Sequence, residues 1–374
     1  SDDTRIRRIV PGLQALIATG AKIIILTHFG RPKGKIVPDL SVQPVADCMA
    51  KLLGQPVVVE TDVIGAGGAA AVAALQSGNI LMMENLRFYP EEEANDQGFA
   101  KKLAALGDIY VGDAFSCAHR AHASIDALPR LIPAAAGRSF AAELNALHVA
   151  LAVPRRPLGA VVGGAKVSSK IALLENLVTK VDGLILGGGM ANTFLLAQGI
   201  QIGVSLAEPD MVATARAILA KADANGCRII LPTDLVVATA FAANASHRVT
   251  GGHDIADDEM ILDAGPQSVA SVTAFLRECQ TIVWNGPMGA FELKPFDAAT
   301  NAVARAVARL TQDQQVMSVA GGGDTMAALA NAGVNDHFTY VSTAGGAFLE
   351  WLEGKTLPGV DALQQRRTNS ACCG

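Results

Sequence analysis

No stretch of this chain approaches the 18 uninterrupted apolar residues of a membrane-crossing helix, so no transmembrane helix is expected. Charge is sparse: 17% of residues are Asp, Glu, Lys or Arg, and 30 basic residues against 35 acidic ones leave a net charge of −5. That balance argues against a generic binder of nucleic acid or anionic membranes, while leaving room for a local basic cleft. The six cysteines (Cys48, Cys117, Cys227, Cys279, Cys372 and Cys373) include no C-x-x-C pair. They read as reduced thiols of a cytoplasmic protein rather than a disulfide framework, with the adjacent Cys372 and Cys373 incidental. The opening residues, Ser1-Asp2-Asp3-Thr4-Arg5, are polar and lack the apolar segment of a secretory leader.

What the chain does have is apolar mass. Half of its 374 residues are hydrophobic, which is too much chain for one ordinary core and suggests two domains. Short apolar runs alternate with longer Ala/Leu-rich segments: Ile23 to Leu26, Val57 to Val59, Ile80 to Met83, Ile109 to Val111, Leu158 to Val162, Leu184 to Leu186, Ile229 to Leu231, Ile282 to Trp284, Val316 to Val319 and Phe338 to Val341. Runs that are hydrophobic on both faces suit parallel strands covered by helices on either side. The fold class is therefore α/β, with two doubly wound parallel-sheet domains. Phe140 to Val153 reads as a helix, and "VPRRPLG" (153–159) after it reads as an interdomain connector, an ordinary surface loop being the alternative. The expected domains are 1–150, 151–350 and a tail, 351–374, that returns to the first half.

Five apolar runs after residue 155 end in glycine-bearing turns: "VVGGAKV", "LILGGGM", "IVWNGPMG", "SVAGGGDT" and "VSTAGGA". Ligands of open parallel sheets bind beyond the carboxyl ends of the strands. There glycine lets backbone approach a phosphate, and helix N-termini favour the anion. "VVGGAKVSSK" is not the nucleotide loop G-x-x-x-x-G-K-[ST]: counted from Gly159, Gly164 fits, but Ala165 stands where lysine should. "LGGGMANT" likewise lacks the G-x-G-x-x-G of a dehydrogenase. Lys166 and Lys170 are expected one helical turn apart, facing one phosphate chain. Asp324, beside the expected phosphates, suits a bridging Mg²⁺, and a helix N-cap role is open as well. Glu292 can accept hydrogen bonds from a ribose, a plain surface glutamate being the alternative.

Strand ends of the first half carry bases instead. "IIILTHFGRPKG" delivers His28 and Arg31, "ILMMENLRF" delivers Arg87, and "IYVGDAFSCAHRAH" delivers His119, Arg120 and His122. Arg5 opens the first helix, whose N-cap is expected at Asp2 or Asp3. Four arginines and several histidines set at strand ends in a net-negative chain point to a cationic pocket for a small polyanion. A nucleotide–Mg²⁺ domain paired with such a pocket is the design of a kinase acting on a small anionic metabolite.

Taken together, Thr27-His28-Phe29-Gly30-Arg31-Pro32, "ENLRF", "DAF…AHRAH", "GGAKVSSK", "GGGM", "WNGPMGAFE", "GGGDT" and "STAGGA" followed by "LEGK.LPGVDAL" resemble the phosphoglycerate kinases over essentially the whole chain. The resemblance implies two Rossmann-like domains joined by a helical hinge, a monomer, and reversible glycolytic phosphoryl transfer. Its substrates would be 1,3-bisphosphoglycerate with ADP, and 3-phosphoglycerate with MgATP. Arg5, His28, Phe29, Gly30, Arg31, Arg87 and Arg120 then resemble the phosphoglycerate site. Lys170 resembles the nucleotide-phosphate lysine and Lys166 the one that follows the transferring group, with Arg5 also facing it. Asp324 resembles the Mg²⁺-nucleotide ligand, with Thr325 beside the phosphates. Gly164, Ala165, Gly188, Gly189, Gly265 and Pro287 match the adenosine pocket and Glu292 the ribose contact. Gly322, Gly323, Gly345 and Gly346 match backbone donors near the transferred group. The attacking oxygen is already ionised, so catalysis needs in-line positioning and charge stabilisation rather than a base. Losing one charged donor is expected to raise the barrier by roughly 2.7–4 kcal/mol.

Two departures qualify the resemblance. The family begins with a strand and a loop of the kind R-x-D-x-N-V-P, whose Asp and Asn contact substrate, whereas this sequence opens after that point. A central strand of the first sheet and part of the triose site are therefore expected to be missing, the sequence being read as incomplete. Second, Ala344 stands in "STAGGA" where glycine is commoner, a penalty if that position needs positive φ. A non-catalytic nucleotide-binding relative is the alternative, and retention of Lys166, Lys170, Asp324 and the basic set argues against it.

Overall fold

A computed structural model describes residues 3–252 and 254–370. Asp2 and the Cys372-Cys373 pair lie outside the described residues. The chain divides into two compact units, Ser1–Leu144 with Thr356–Gly374, and Asn145–Lys355.

The apolar runs of the first unit become β1 (Ile23–Ile25), β2 (Val57–Glu60), β3 (Ile80–Met83) and β4 (Tyr110–Gly112). A fifth strand, β5 (Ala134–Ala136), has no signal beyond three alanines. They form a parallel sheet in the order β1-β3-β2 and a separate parallel pair, β4-β5. β3 shows why such strands must be apolar throughout. Ile80 and Met82 point into one core cluster with Met49 and Val57, while Leu81 and Met83 point into another with Phe99 and Leu128. Successive side chains face opposite sides of a strand, and both sides here are covered.

In the second unit, β6 (Leu158–Val162), β7 (Gly183–Leu186), β8 (Arg228–Ile230), β9 (Leu235–Ala238), β10 (His247–Thr250), β11 (Met260–Ala264), β12 (Thr281–Asn285), β13 (Met317–Gly321) and β14 (Tyr340–Ser342) follow in order. Six make one parallel sheet, β14-β13-β12-β6-β7-β8. The chain winds outward from β6 to β8, then resumes at β12 on the other side of β6. The β6/β12 seam is thus the topological switch point, where open α/β sheets bind ligands.

The antiparallel sheet β10-β9-β11 was not foreseen from the sequence. Three of the four residues of β10 are exposed, so it lacks the apolar run that marks a buried strand. The helix Ala298–Gln312 shows the expected periodicity: Ala299, Val303, Ala304, Val307 and Ala308 are buried, while Arg305 and Arg309 face water. Each fully buried valine contributes roughly 1.5–3 kcal/mol, far more than helix propensity supplies at any one position.

Asp3 occupies the N-cap position of the helix Thr4–Ala18, but it makes no capping hydrogen bond. Its carboxylate pairs with Arg7 at 2.7 Å instead. The division at Leu144 falls inside the helix Arg138–Leu151. The "VPRRPLG" loop is bonded within the second unit: Asp182 Oδ2 accepts from Leu158 N at 2.6 Å, and Gln280 N donates to Pro157 O at 2.8 Å. In the first unit, the helix Pro358–Ser370 is held through Arg130 Nη2, 2.8 Å from Asp361 Oδ2, and through Gly359 N, which donates to Ala118 O at 2.9 Å.

Candidate active site

At the switch point, β6 runs into Gly163-Gly164 and β12 into Gly286-Pro287. The two turns are in direct contact: Gly163 N donates to Asn285 O at 3.0 Å, and a Cβ on Gly163 would lie 1.7 Å from Pro287 O. Glycine is therefore required there by space. The turn after β7 joins them, with Gly188 N donating to Met288 O at 2.7 Å and Met190 N to Gly164 O at 2.9 Å. Gly188 has φ +68°, and a Cβ on it would sit 2.8 Å from Gly164 O. Its N–H is occupied, so Gly188 serves close approach rather than donation to a ligand. Gly189 lies against Ala165 O and Leu206, an apolar side chain 55% exposed that the sequence reading did not single out. Pro287 and Gly265 are buried, Gly265 N donating to Asp234 O at 2.8 Å, and Glu292 is exposed in the turn beyond β12.

Lys170 crosses this seam. Its Nζ donates to Gly163 O and to Asn285 Oδ1, each at 2.6 Å. Burial pushes its pKa down to about 8, opposed by the charge of Asp324. Asn285 in turn donates from Nδ2 to Gly321 O at 2.8 Å, and Thr325 Oγ1 accepts from Gly286 N at 2.7 Å. Asn285 is the functional residue that sequence reasoning missed here; its only signal was membership of "WNGPMG".

Around the seam stand helix N-termini with first-turn N–H groups that have no partner inside the helix. Gly322, at φ +107°, caps Gly323–Ala332, which places Asp324 exposed in the first turn rather than at the cap. Gly345 and Gly346 open the helix Gly345–Leu352. Ala344 before them has φ −99°, so the expected penalty for alanine does not arise. A second expectation is corrected as well. Lys166 and Lys170 do not share a helix, because the chain turns at Ser168-Ser169 and the helix starts at Ile171. Lys170 is drawn inward while Lys166 stands exposed.

The first unit gathers its own cations. Arg87 is 3% exposed; its Nη1 donates to Gly30 O at 2.8 Å, and its Nε lies 3.2 Å from Glu93 Oε1. Nη2 is buried and finds no hydrogen-bond partner among the described residues. An unmade bond of that kind ordinarily costs about 1–3 kcal/mol, and more for a charged group, so it marks a place for an anion. Asn85, which the sequence reading passed over, positions the surroundings. It caps Arg87 N at 3.1 Å and donates to Phe29 O at 2.7 Å and Leu40 O at 2.8 Å.

His28 is driven down to about 3 by burial first, then by Arg87, Arg120, His122 and Arg5. His122 falls to about 4 by burial, Arg87 and Arg120. Both rings are neutral near pH 7, so the positive charge comes from the arginines, contrary to the expectation that histidines add to it. Arg120 Nε donates to His119 Nε2 at 3.3 Å. Phe29 and Arg31 stand exposed in the loop after β1, and Arg5 is exposed on the first turn of its helix.

The profile of the phosphoglycerate kinase family matches residues 1–355. The chain belongs to the phosphoglycerate kinase family. Among curated relatives, the phosphoglycerate kinase of a Ruegeria species is 58% identical over 364 residues, spanning 97% of this chain and 92% of its own. That of Rhodospirillum centenum is 58% identical over 363 residues, with the same shares. The structure of phosphoglycerate kinase from Coxiella burnetii superposes with a TM-score of 0.91 at 43% identity, covering 98% of this chain and 92% of that one. The family match bears out the α/β class and the doubly wound reading. Among the described residues no group of three or more His, Cys, Asp or Glu could hold a metal ion alone, and no helix is long and apolar enough to cross a membrane.

Proposed function

We propose that this chain catalyses reversible phosphoryl transfer between the acyl phosphate of 1,3-bisphosphoglycerate and ADP, giving 3-phosphoglycerate and ATP. The observation that supports the proposal is that each unit gathers a cation where an anion could be held. One is buried Arg87 with its unpaired Nη2, the other Lys170 at the β6/β12 seam.

Arg87, Arg120, Arg5 and Arg31 would bind the phosphoglycerate, with neutral His28 as a hydrogen-bonding partner and Phe29-Gly30 lining the approach. Gly164, Ala165, Gly188, Gly189, Gly265 and Pro287 would receive adenosine, and Glu292 its ribose. Lys170 would hold the nucleotide phosphates beside Thr325. The single exposed carboxylate of Asp324 fits Mg²⁺, which is bound through one or two carboxylates together with phosphate oxygens and supplies charge neutralisation. Lys166, free of the inward bonds that hold Lys170, would follow the moving group.

The attacking oxygen, a nucleotide phosphate in one direction and a carboxylate in the other, is ionised at neutral pH. No base is needed, and histidines held neutral suit a site whose task is positioning. Lys166, Arg5 and the N–H groups of Gly322, Gly323, Gly345 and Gly346 would stabilise the transition-state charge. The attacking oxygen must come within about 3–3.5 Å of the transferred phosphorus, which hinge closure would achieve; the helix in which the unit division falls supports it. A monomer working in the cytoplasm completes the reading, supported by free thiols at Cys48, Cys117, Cys227 and Cys279.

The test is a coupled assay of ATP formation from ADP and 1,3-bisphosphoglycerate. ATP should form with Mg²⁺ present, and 3-phosphoglycerate should compete. Tight nucleotide binding with no ATP formed would overturn the proposal.

A further inference from the structure

The loop that carries Lys166 is gripped by a carboxylate that has no part in the chemistry above. Glu208 Oε1 accepts from Ser168 Oγ at 2.5 Å, and its Oε2 accepts from Ser168 N at 2.9 Å. Ser169 Oγ closes the same turn by donating to Lys166 O at 2.8 Å. Desolvation, the largest single effect, pushes the Glu208 carboxyl up, but the Ser168 bonds, the Val167 N–H and the charge of Lys166 together outweigh it and hold the group below its ordinary value. It is therefore ionised, and an acceptor, at neutral pH.

Exposed carboxylates ordinarily hold little in place, since ordering a long side chain costs entropy that a screened charge does not return. Glu208 differs because its backbone is fixed from beneath. Its N–H donates to Thr193 Oγ1 at 3.0 Å, and the neighbouring Leu206 O accepts from Asn192 Nδ2 at 3.1 Å. Asn192 and Thr193 are 2% and 0% exposed on the helix Gly188–Ala197, the helix that opens with the glycine pair of the seam. Two buried polar groups thus anchor a segment whose outward carboxylate meets two donors of one loop residue. A continuous chain of hydrogen bonds runs from that helix to the turn bearing Lys166.

We propose that Glu208 is a positioning residue for phosphoryl transfer, acting through Ser168 to hold the backbone of the Lys166 turn where the ammonium can follow the moving group. The inference rests on the reading of Lys166 given above. Lysine is a flexible stem ending in a point charge, so its reach is only as well placed as its Cα. A displacement of about 1 Å at a transferring group can cost on the order of 100-fold in rate.

The experiment is steady-state ATP formation by the full chain and by Glu208→Ala, Glu208→Gln, Lys166→Ala and the Glu208→Ala/Lys166→Ala double variant. Both substrates are varied, and melting temperatures are recorded alongside. Glu208→Ala should lower kcat about 10- to 100-fold with each KM changed less than about twofold and an unchanged melting temperature. Glu208→Gln, whose amide oxygen still accepts from Ser168 N, should recover most of the rate. The double variant should be no slower than Lys166→Ala alone, because both lesions act through one group. Normal turnover in Glu208→Ala beside a crippled Lys166→Ala would overturn this inference alone. So would multiplying losses in the double variant, or a Glu208→Gln faster than the parent, which would make Glu208 a restraint on Lys166. Normal turnover in Lys166→Ala would overturn the reading of Lys166 and this inference with it.

Discussion

Lys170 Nζ lies 2.6 Å from Asn285 Oδ1, while the Nδ2 of the same amide lies 2.8 Å from Gly321 O. One buried side chain therefore joins the ends of β12 and β13 to the cation that spans the β6 seam. Asn285→Ala would strip an acceptor from a buried ammonium and leave Gly321 O without its donor. The expected cost is roughly 1–3 kcal/mol of stability, read by urea unfolding, together with weaker ADP binding. Unchanged stability would mean that water replaces the amide at no cost.

The pH dependence of nucleotide binding follows from Lys170. Phosphate binds the protonated amine, whose pKa burial lowers to about 8 against the opposing charge of Asp324. ADP affinity should be level below pH 8 and fall above it, by up to about tenfold per pH unit. Stability of the ligand-free protein should move the other way. Its folded pKa lies below the ordinary 10.5, so between these values the unfolded chain binds more protons and stability rises with pH. Lys170→Arg, permanently charged, should remove the decline in affinity. Calorimetric titration across pH 7 to about 10 measures it.

Proton uptake is expected in the first unit. Burial and the neighbouring arginines hold His28 near 3 and His122 near 4, below the ordinary 6.5. In the free protein, stability present above pH 6.5 is lost as pH falls toward those values, because the unfolded chain takes protons first. An anion paired with Arg87 and Arg120 cancels part of their field and raises both histidines. Binding of 3-phosphoglycerate at about pH 5 should therefore take up protons, seen as a binding heat that varies with the buffer's ionisation heat. The same titration near pH 7.5 should show little uptake.

The strands that build the parallel sheets were legible because both faces of β3, β6, β7 and β12 are covered, which leaves apolar runs, and those of β6, β7 and β12 end in glycine turns. β10 was not, because an exposed edge strand needs no apolar run. The identities of Lys170, Asp324 and Arg87 could be read from their places after strand ends, but their partners could not. Asn285 meets Lys170 across 115 positions of sequence, and nothing local announces such a contact. The shared helix assigned to Lys166 and Lys170 failed for a local reason: Lys170 takes φ −133° at the helix entrance, after a turn that buries Val167.

The division of labour between the two lysines is the centre of this account. It is tested most directly by measuring kcat for ATP formation and Kd for ADP in Lys166→Ala and Lys170→Ala side by side. Lys166→Ala should lose about 100- to 1,000-fold in kcat with little change in Kd, the loss typical of one donor to a transition-state charge. Lys170→Ala should weaken ADP binding as well as turnover. Equal losses of turnover and affinity in Lys166→Ala would contradict the account.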